Sequence, residues 1–154
     1  MTPLSAVIIT RNEEQRLPEA LRSLAFCDER LVVDAGSTDR TREVAEAHGA
    51  RVVVATPWPG FVAQRRKAVA AAQHDWILAL DADERVTPEL AAEIQTTLAR
   101  DPAEAGFRMP RVTWHLGKWI RTTDWYPDYQ LRLYHRARAS WPERLARRAA
   151  LAWR

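Results

Sequence analysis

Three carboxylates directly follow an apolar run in the stretch Ile-Leu-Ala-Leu-Asp-Ala-Asp-Glu, residues 77–84. Asp81 and Asp83 are two residues apart, so both side chains point to one side where the chain stays extended. Such a pair suits Mg²⁺ or Mn²⁺, which takes oxygen ligands and shares itself with water and substrate phosphates. A solvated loop before a helix N-terminus would also favour acidic residues. Because the cluster ends a buried strand beside other polar strand ends, we favour the metal site.

A second polar turn, Asp34-Ala-Gly-Ser-Thr-Asp, follows another apolar strand. Gly36 lets the backbone approach a ligand closely, and Ser37 and Thr38 can reach a ribose or a phosphate. The Ser, Thr and Asp residues of the turn also suit a helix cap. Asp34 ends the strand, where a cap does not need it. Its carboxylate is therefore a candidate acceptor for a base N–H or for ribose hydroxyls.

A basic run, Arg65-Arg66-Lys67, lies within a segment with helical character over residues 61–73. A run of this kind usually forms a solvated face of a helix. The functional alternative is that one of the three side chains reaches a diphosphate. In both interpretations the run belongs to the helix that precedes the strand ending at the acidic cluster.

Four repeats of strand and helix must position these residues. Strands are predicted at the apolar runs 5–10, 29–34, 51–55 and 75–80. Alternation of this kind predicts a parallel sheet with helices on its faces, and such sheets bind ligands beyond the carboxyl ends of their strands. The polar ends of three strands would then lie side by side at one edge.

The helix boundaries follow from capping residues. Asn12, with Gln15 three residues later, resembles a capping box ahead of a helix. The next helix is predicted from Thr41 to His48, closed by Gly49. A further helix is predicted with Thr87 as its cap and Pro88 as its first residue. After residue 100 the alternating segment 106–114 predicts an antiparallel strand, and an aromatic region with mixed charge follows.

Composition restricts the class of protein. The chain has 154 residues, 47% hydrophobic and 28% charged, which is typical of one globular domain and excludes a disordered chain. No apolar run approaches the roughly 20 residues of a membrane span, and the N-terminus has no signal-peptide pattern. Cys27 is the single cysteine, interpreted as a core or surface thiol in a reducing cytoplasm.

The positive net charge of +3 is concentrated at one end. Seven of the 23 Lys and Arg residues, but only one of the 20 Asp and Glu residues, lie from Leu131 onward. This distribution gives no protein-wide footprint for nucleic acid. We favour a solvated helix or a disordered end for this tail. The alternative is that Trp141, Leu145 and Trp153, with the neighbouring arginines, lie on an anionic membrane surface.

Three segments together resemble a known family. Val-Ile-Ile-Thr-Arg-Asn-Glu-Glu (7–14), Val-Asp-Ala-Gly-Ser-Thr-Asp-Arg-Thr (33–41) and Leu-Asp-Ala-Asp-Glu (80–84) resemble the N-terminal half of family 2 glycosyltransferases. Two later stretches, 116–121 and 125–133, resemble the lipopolysaccharide core β-1,4-glucosyltransferase subgroup. The likeness covers roughly residues 4–136. We therefore predict a domain over 1–136 and a basic tail over 137–154.

The resemblance implies the GT-A fold, a Rossmann-like, mostly parallel sheet that binds a nucleotide-sugar with a divalent metal. It also implies transfer of a hexose from a UDP-sugar, with inversion, to a lipid-linked or lipopolysaccharide-type acceptor at the cytoplasmic membrane face. Mg²⁺ or Mn²⁺ would neutralise the charge that develops on the departing diphosphate.

The family's roles are implied at the matching positions of this chain. The residues implied in nucleotide-sugar binding are Thr10, Arg11, Asn12, Glu14, Asp34, Gly36, Ser37, Arg65 and Asp81. Asp83 would be the principal metal ligand. Trp125, Asp128 and Arg132 would fall on the acceptor side, with Asp128 as the candidate catalytic base.

The sequence also departs from the family pattern. Many relatives carry two consecutive Asp where this chain has Asp34-Ala35, and Gln-Lys-Asn where it has Gln64-Arg65-Arg66. The His-Glu pair that often supplies the base is not found, so we interpret the chain as C-terminally truncated, with Asp128 or Asp124 as substitute. Two alternatives stay open: a non-catalytic nucleotide-sugar-binding remnant, and a nucleotidyltransferase-like enzyme, which the lack of a Gly-rich phosphate loop disfavours.

Overall fold

The computed structural model describes residues 2–122 and 125–139. Strands and helices alternate along this part of the chain, as the apolar runs and caps predict. Their order is β1 (Leu4–Thr10), α1 (Leu17–Ser23), β2 (Glu29–Asp34), α2 (Thr41–Ala47), β3 (Arg51–Val54), α3 (Phe61–Ala71), β4 (Trp76–Asp81), α4 (Pro88–Ala99), β5 (Gly106–Arg111), β6 (Thr113–His115), β7 (Lys118–Ile120) and β8 (Asp128–His135).

A mostly parallel six-stranded sheet has the order β3-β2-β1-β4-β8-β5. Strand β1 pairs in parallel with β2 and β4, and β2 pairs in parallel with β3, whereas β8 is antiparallel to both β4 and β5. The predicted parallel sheet is therefore confirmed. Because the chain leaves β1 toward β2 on one side and returns to β4 on the other, the topological switch point lies between β1 and β4.

The central strands β1, β2 and β4 are buried on both faces of the sheet, which explains their continuous apolar runs. One face packs against leucines of α1 and against Ile94 and Leu98 of α4. The other face packs against Ala68 of α3 and includes Tyr134 of β8. Each fully buried Leu or Ile side chain stabilises such a core by about 1.5–3 kcal/mol relative to exposure. Helices on both sides thus hold the strand ends in place.

Two predicted caps are confirmed. The Thr87 side chain accepts a hydrogen bond from the Leu90 N–H at 3.2 Å, and helix α4 begins at Pro88. Helix α2 is followed by Gly49 at φ 72°, a conformation that glycine adopts without strain.

The predicted capping box at Asn12 is wrong. Helix α1 begins at Leu17, and its N-cap residue Arg16 makes no side-chain cap hydrogen bond. Asn12 lies five residues earlier, in a left-handed conformation with φ 56°. Its side chain instead accepts a hydrogen bond from the Thr38 N–H at 2.8 Å, so a tertiary contact has replaced the local one.

The predicted antiparallel strand over 106–114 is divided in two. Strand β5 ends at Arg111, and β6 pairs only with β7 in a separate two-stranded hairpin. Leu116 and Gly117 form its turn with φ values of 48° and 80°, a backbone typical of two-residue hairpin turns. Within residues 2–122 and 125–139, no helix has the length and apolar character needed to cross a bilayer.

Candidate functional site

The polar ends of three strands meet at the switch point. Thr10 lies directly opposite Asp34 in the pairing of β1 with β2, and Ile9 lies opposite Asp81 in the pairing of β1 with β4. The prediction that these strand ends share one edge is confirmed. The edge therefore carries all three motifs that the sequence singles out.

The Asp34 carboxylate points into its own loop. Its side chain is fully buried and accepts hydrogen bonds from the backbone N–H groups of Gly36 at 3.1 Å and Ser37 at 2.9 Å. The Ser37 hydroxyl also donates to it, as does the Thr10 hydroxyl at 3.3 Å. These contacts give Asp34, Ser37 and Thr10 a structural role in this loop, and their contacts with a nucleotide-sugar stay a prediction. A carboxylate with four donors has little capacity left for a base or a ribose.

Two loops at this edge are locked together by reciprocal hydrogen bonds. The Asn12 N–H donates to the Ser37 hydroxyl at 2.9 Å, while the Asn12 side chain accepts from the Thr38 N–H. Farther along, the Glu14 carboxylate accepts from the Arg40 N–H at 2.9 Å. Asn12 and Glu14 thus join the loop after β1 to the loop after β2. The side chain of the preceding Arg11 is exposed. A platform built this way is ordered before any ligand arrives.

Gly36 is required by packing as well as by its backbone angle. Its φ is +87°, and a Cβ atom added there would lie 2.9 Å from Cγ2 of Thr56. A larger residue would push apart the loops after β2 and β3. The close approach seen in the structure is to Thr56. The predicted approach of this backbone to a ligand stays a prediction.

Arginines provide the positive charge that the acidic strand end needs. The two Asp81 oxygens are held separately: Arg65 donates to Oδ1, and Arg132 donates to Oδ2 at 2.9 Å. Burial raises the pKa of Asp81, but the two guanidinium groups outweigh it and hold that pKa below its ordinary value. Asp81 is thus an ionised partner of two arginines, and its implied contact with a ribose or a metal stays a prediction.

The same charge network continues through Glu84 to Asp128. Arg132, itself buried, donates to Glu84 Oε1 at 2.5 Å, and Arg111 lies 3.4 Å from the same oxygen. Arg111 also donates to Asp128 Oδ2 through two nitrogens, at 3.0 and 2.6 Å. Gln130 donates to the other Asp128 oxygen at 2.6 Å. Asp128 is thus held in a fixed orientation at the edge of the site.

Asp83 differs from its acidic neighbours. It is exposed, and within residues 2–122 and 125–139 no hydrogen bond or ion pair to its carboxylate is found. Burial raises the pKa of Glu13, Arg16 opposes that effect, and the nearby carboxylates of Asp83 and Asp39 raise it further. The Asp83 carboxylate is therefore near enough to Glu13 to repel it electrostatically. Two carboxylates that repel are stabilised by a cation between them.

Sequence analysis did not identify Glu84 and Arg111 as residues of the site. Glu84 was seen only as part of an acidic run, and Arg111 only as part of a strand. The antiparallel register that places Arg111 opposite Asp128 explains their contact, and a correct pairing of β5 with β8 could have found it. Asp124, the alternative base, and the basic residues 140–154 lie outside the described residues.

A sheet with this strand order and with polar loops at its switch point defines the class of nucleotide-binding α/β proteins. The sequence profile described as "Glycosyl transferase family 2" matches residues 5–150. The chain belongs to this family.

Curated relatives agree with that assignment. An uncharacterized glycosyltransferase of Rickettsia bellii (strain RML369-C) is 46% identical over 97 residues, covering 62% of this chain and 33% of the relative. The lipopolysaccharide core biosynthesis glycosyltransferase LpsC of Rhizobium meliloti (strain 1021) is 34% identical over 119 residues, covering 75% of this chain and 44% of LpsC. The chain spans about a third of the length of the Rickettsia relatives that it matches.

Solved structures show the same fold. Residues 1–349 of S. aureus TarS superpose with a TM-score of 0.59 at 24% identity, over 88% of this chain and 48% of that one. Glucosyl-3-phosphoglycerate synthase from Mycobacterium tuberculosis, in complex with UDP, has a TM-score of 0.56 at 26% identity. That match covers 68% of this chain and 42% of the synthase. The predicted GT-A fold is confirmed.

Proposed function

We propose that this chain forms the nucleotide-binding part of an inverting glycosyltransferase. It would move a hexose from a UDP-sugar to a lipid-linked or lipopolysaccharide-type saccharide acceptor at the cytoplasmic membrane face. The observation that carries the proposal is the meeting of three polar strand ends at one switch point, with exposed Asp83 beside them. A nucleotide binds at this position in sheets of this topology.

The names of two similar proteins support the donor and the acceptor. The synthase that resembles this chain was solved with UDP bound. LpsC is named for lipopolysaccharide core biosynthesis. Both names support a UDP-sugar donor and an acceptor of the lipopolysaccharide type for this chain.

The residues at the switch point fit a divalent cation, Mg²⁺ or Mn²⁺. Asp83 offers an exposed carboxylate, and Glu13 lies close enough for mutual repulsion. No group of three or more ligating side chains exists in the described part of the chain, but Mg²⁺ typically needs only one or two carboxylates beside water and phosphate oxygens. When bound, the ion would neutralise charge on the diphosphate leaving group.

Arg65 and Arg132 would add positive charge on the same side of the site. Both guanidinium groups are already oriented by Asp81. A diphosphate placed between this pair and Asp83 would meet arginines on one side and the metal on the other. Arg65 thus retains its predicted role toward the diphosphate, with Asp81 as the residue that orients it.

The acceptor side would be built around Asp128, our candidate base. An acceptor hydroxyl would replace Gln130 at Oδ1, while Arg111 keeps Oδ2 in position. We expect Asp128→Asn to lower the turnover number about 10²–10⁴-fold, because general-base assistance is lost. UDP affinity should stay unchanged. Steady-state kinetics and UDP titration check the two halves of this prediction, and Gln130→Ala, which keeps the carboxylate, is the matched control.

The donor site is tested by titrating UDP into the chain with and without Mn²⁺. We expect tight binding only with the metal, and at least about tenfold weaker binding in Asp83→Ala, since a charged ligand to the ion is lost. Glu93→Ala removes an exposed carboxylate on α4 and is the matched control. EDTA should restore the metal-free affinity.

Equal binding by the chain and by Asp83→Ala, regardless of Mn²⁺, would remove Asp83 from the site. Release of UDP from a UDP-hexose only when acceptor is present would establish transfer. Binding of UDP without such release would favour a binding remnant over an active transferase.

A further inference from the structure

Large apolar side chains are exposed together on the β6–β7 hairpin. Trp114, Leu116 and Trp119 are 55%, 87% and 58% exposed, and the following Trp125 is 47% exposed. Single exposed apolar residues are normal on protein surfaces, but a group of them on one element marks a contact surface.

The hairpin separates its apolar and basic groups by geometry. Trp114 pairs with Trp119 across the two strands, and their ring centroids are 5.1 Å apart. Successive residues of a strand face opposite sides, so the neighbouring pair of His115 and Lys118 lies on the other face. Leu116 lies in the turn that joins them, where it is almost fully exposed.

The charged side chains within the hairpin segment itself have one sign. Residues 105–122 contain no Asp or Glu, whereas they include Arg108, Arg111, Lys118 and Arg121. Arg111 is engaged by Glu84 and Asp128 of the candidate site. Lys118 and Arg121 are exposed, with Lys118 on the face opposite the Trp114–Trp119 pair. An apolar tip with a basic border is complementary to an anionic surface with an apolar interior.

We propose that the β6–β7 hairpin docks on the anionic surface of a lipid bilayer. Leu116 and the two tryptophans enter the boundary between head groups and acyl chains, where indole rings are favoured. Lys118 and Arg121 contact lipid phosphates, each adding attraction that falls off within a Debye length.

The hairpin begins two residues after Arg111, which contacts Asp128. Docking therefore brings the acceptor side of the candidate site to the bilayer. The inference rests on the proposed function for its purpose, delivery of a lipid-linked acceptor, but its physical basis is independent of catalysis.

A second copy of the chain is a poorer occupant for this surface. A symmetric dimer through the hairpin would place Lys118 and Arg121 of one copy near the same residues of the other. Like charges brought together in this way disfavour association. Anionic lipid attracts these basic side chains, whereas a second copy repels them. The electrostatic interaction therefore favours the bilayer.

The test is co-sedimentation of the full chain with vesicles. We expect binding to phosphatidylcholine vesicles that contain phosphatidylglycerol, weaker binding to phosphatidylcholine alone, and loss of the difference at high salt. Leu116→Glu should lower the partition coefficient at least about tenfold. The variant lacks the leucine side chain that would transfer from water into the bilayer, and its added negative charge is repelled by anionic lipid. Phe61→Glu introduces the same negative charge at another exposed apolar position, on α3, and should bind as the unmodified chain does.

Retained binding by Leu116→Glu, or equal loss in both variants, would overturn the proposal. So would a concentration-dependent dimer that Leu116→Glu abolishes, since the hairpin would then be a contact between copies. UDP titration of the same samples separates the two proposals. If the vesicles bind as expected but UDP does not, only the proposed donor site is contradicted. UDP binding without any vesicle binding contradicts only the docking.

Discussion

At the scale of single residues, the motif side chains mainly build the site. Asp34 illustrates this, because its carboxylate accepts from two backbone N–H groups and two hydroxyls while fully buried. In Asp34→Asn an amide NH₂ would face those donors. We expect the free energy of unfolding in urea to fall by about 2–4 kcal/mol, since buried donors lose a charged acceptor.

Asp101→Asn is the matched control for that measurement. Asp101 is exposed at φ 48°, a conformation that Asn tolerates well, so the change should be within about 0.5 kcal/mol. If Asp34→Asn proves equally harmless, the buried carboxylate does not organise the loop. Weaker UDP binding by Asp34→Asn, with the stability of the fold unchanged, would support the direct ligand contact that the resemblance implies for Asp34.

The types of the site residues could be predicted from sequence, but the directions of their side chains could not. The polar strand ends were visible because an apolar run ending in Asp has no simple packing explanation. The partners of Asp81 are Arg65, 16 residues earlier, and Arg132, 51 residues later. Contacts over such separations depend on register and packing that no local pattern contains.

At the scale of elements, local sequence patterns predicted the structure correctly where the hydrogen-bond partner lies in the same element. They failed where another element supplies the partner. Thr87 caps its own helix as predicted. Asn12 does not, because the loop after β2 offers its side chain a partner at 2.8 Å. The division of the predicted strand 106–114 has a similar cause, since β8 pairs with β5 only as far as Arg111.

Glu29 links strands at the opposite edge of the sheet. It accepts from the Ser5 hydroxyl at 2.5 Å, from Arg51 at 2.6 Å and from the Gln73 N–H at 2.7 Å. Burial raises its pKa, but these donors outweigh burial and hold the pKa below its ordinary value of 4.5. A depressed pKa stabilises the fold above the unfolded-state value, and this stabilisation is lost as the pH falls through the folded-state value.

Glu29→Gln should therefore lower the free energy of unfolding by about 1.5–3 kcal/mol near neutral pH. The difference from the unmodified chain should shrink as the carboxylate of the latter becomes protonated, in urea titrations from about pH 7 to about pH 3. Glu46→Gln, at an exposed position of α2, controls for loss of a surface charge. A difference that stays constant over this range would show that the Glu29 charge does not contribute.

At the scale of the whole molecule, buried carboxylate networks lie at both ends of the parallel strands, but the proposed ligand site lies only at the carboxyl ends. The amino ends of β1, β2 and β3 are joined by the buried Glu29 network, whereas the carboxyl ends of β1, β2 and β4 carry hydrogen-bonded loops and the exposed Asp83. A ligand that bridges three loops from different strands should stabilise them together. Ligand binding should therefore protect backbone amides from hydrogen exchange in the loops at the carboxyl ends and leave the amino ends unchanged.

Amide hydrogen exchange tests this pattern. With UDP and Mn²⁺ at about 100 times the dissociation constant, openings that expel the ligand become about 2.7 kcal/mol more costly, which slows exchange about a hundredfold. We expect this protection in residues 11–16, 35–40 and 82–86, and little change in residues 26–29 and 72–75 at the other edge. Asp83→Ala should remove the effect at all three loops at once, because they share one ligand. Protection of only one loop would mean that the three strand ends, although adjacent, do not act as a single site.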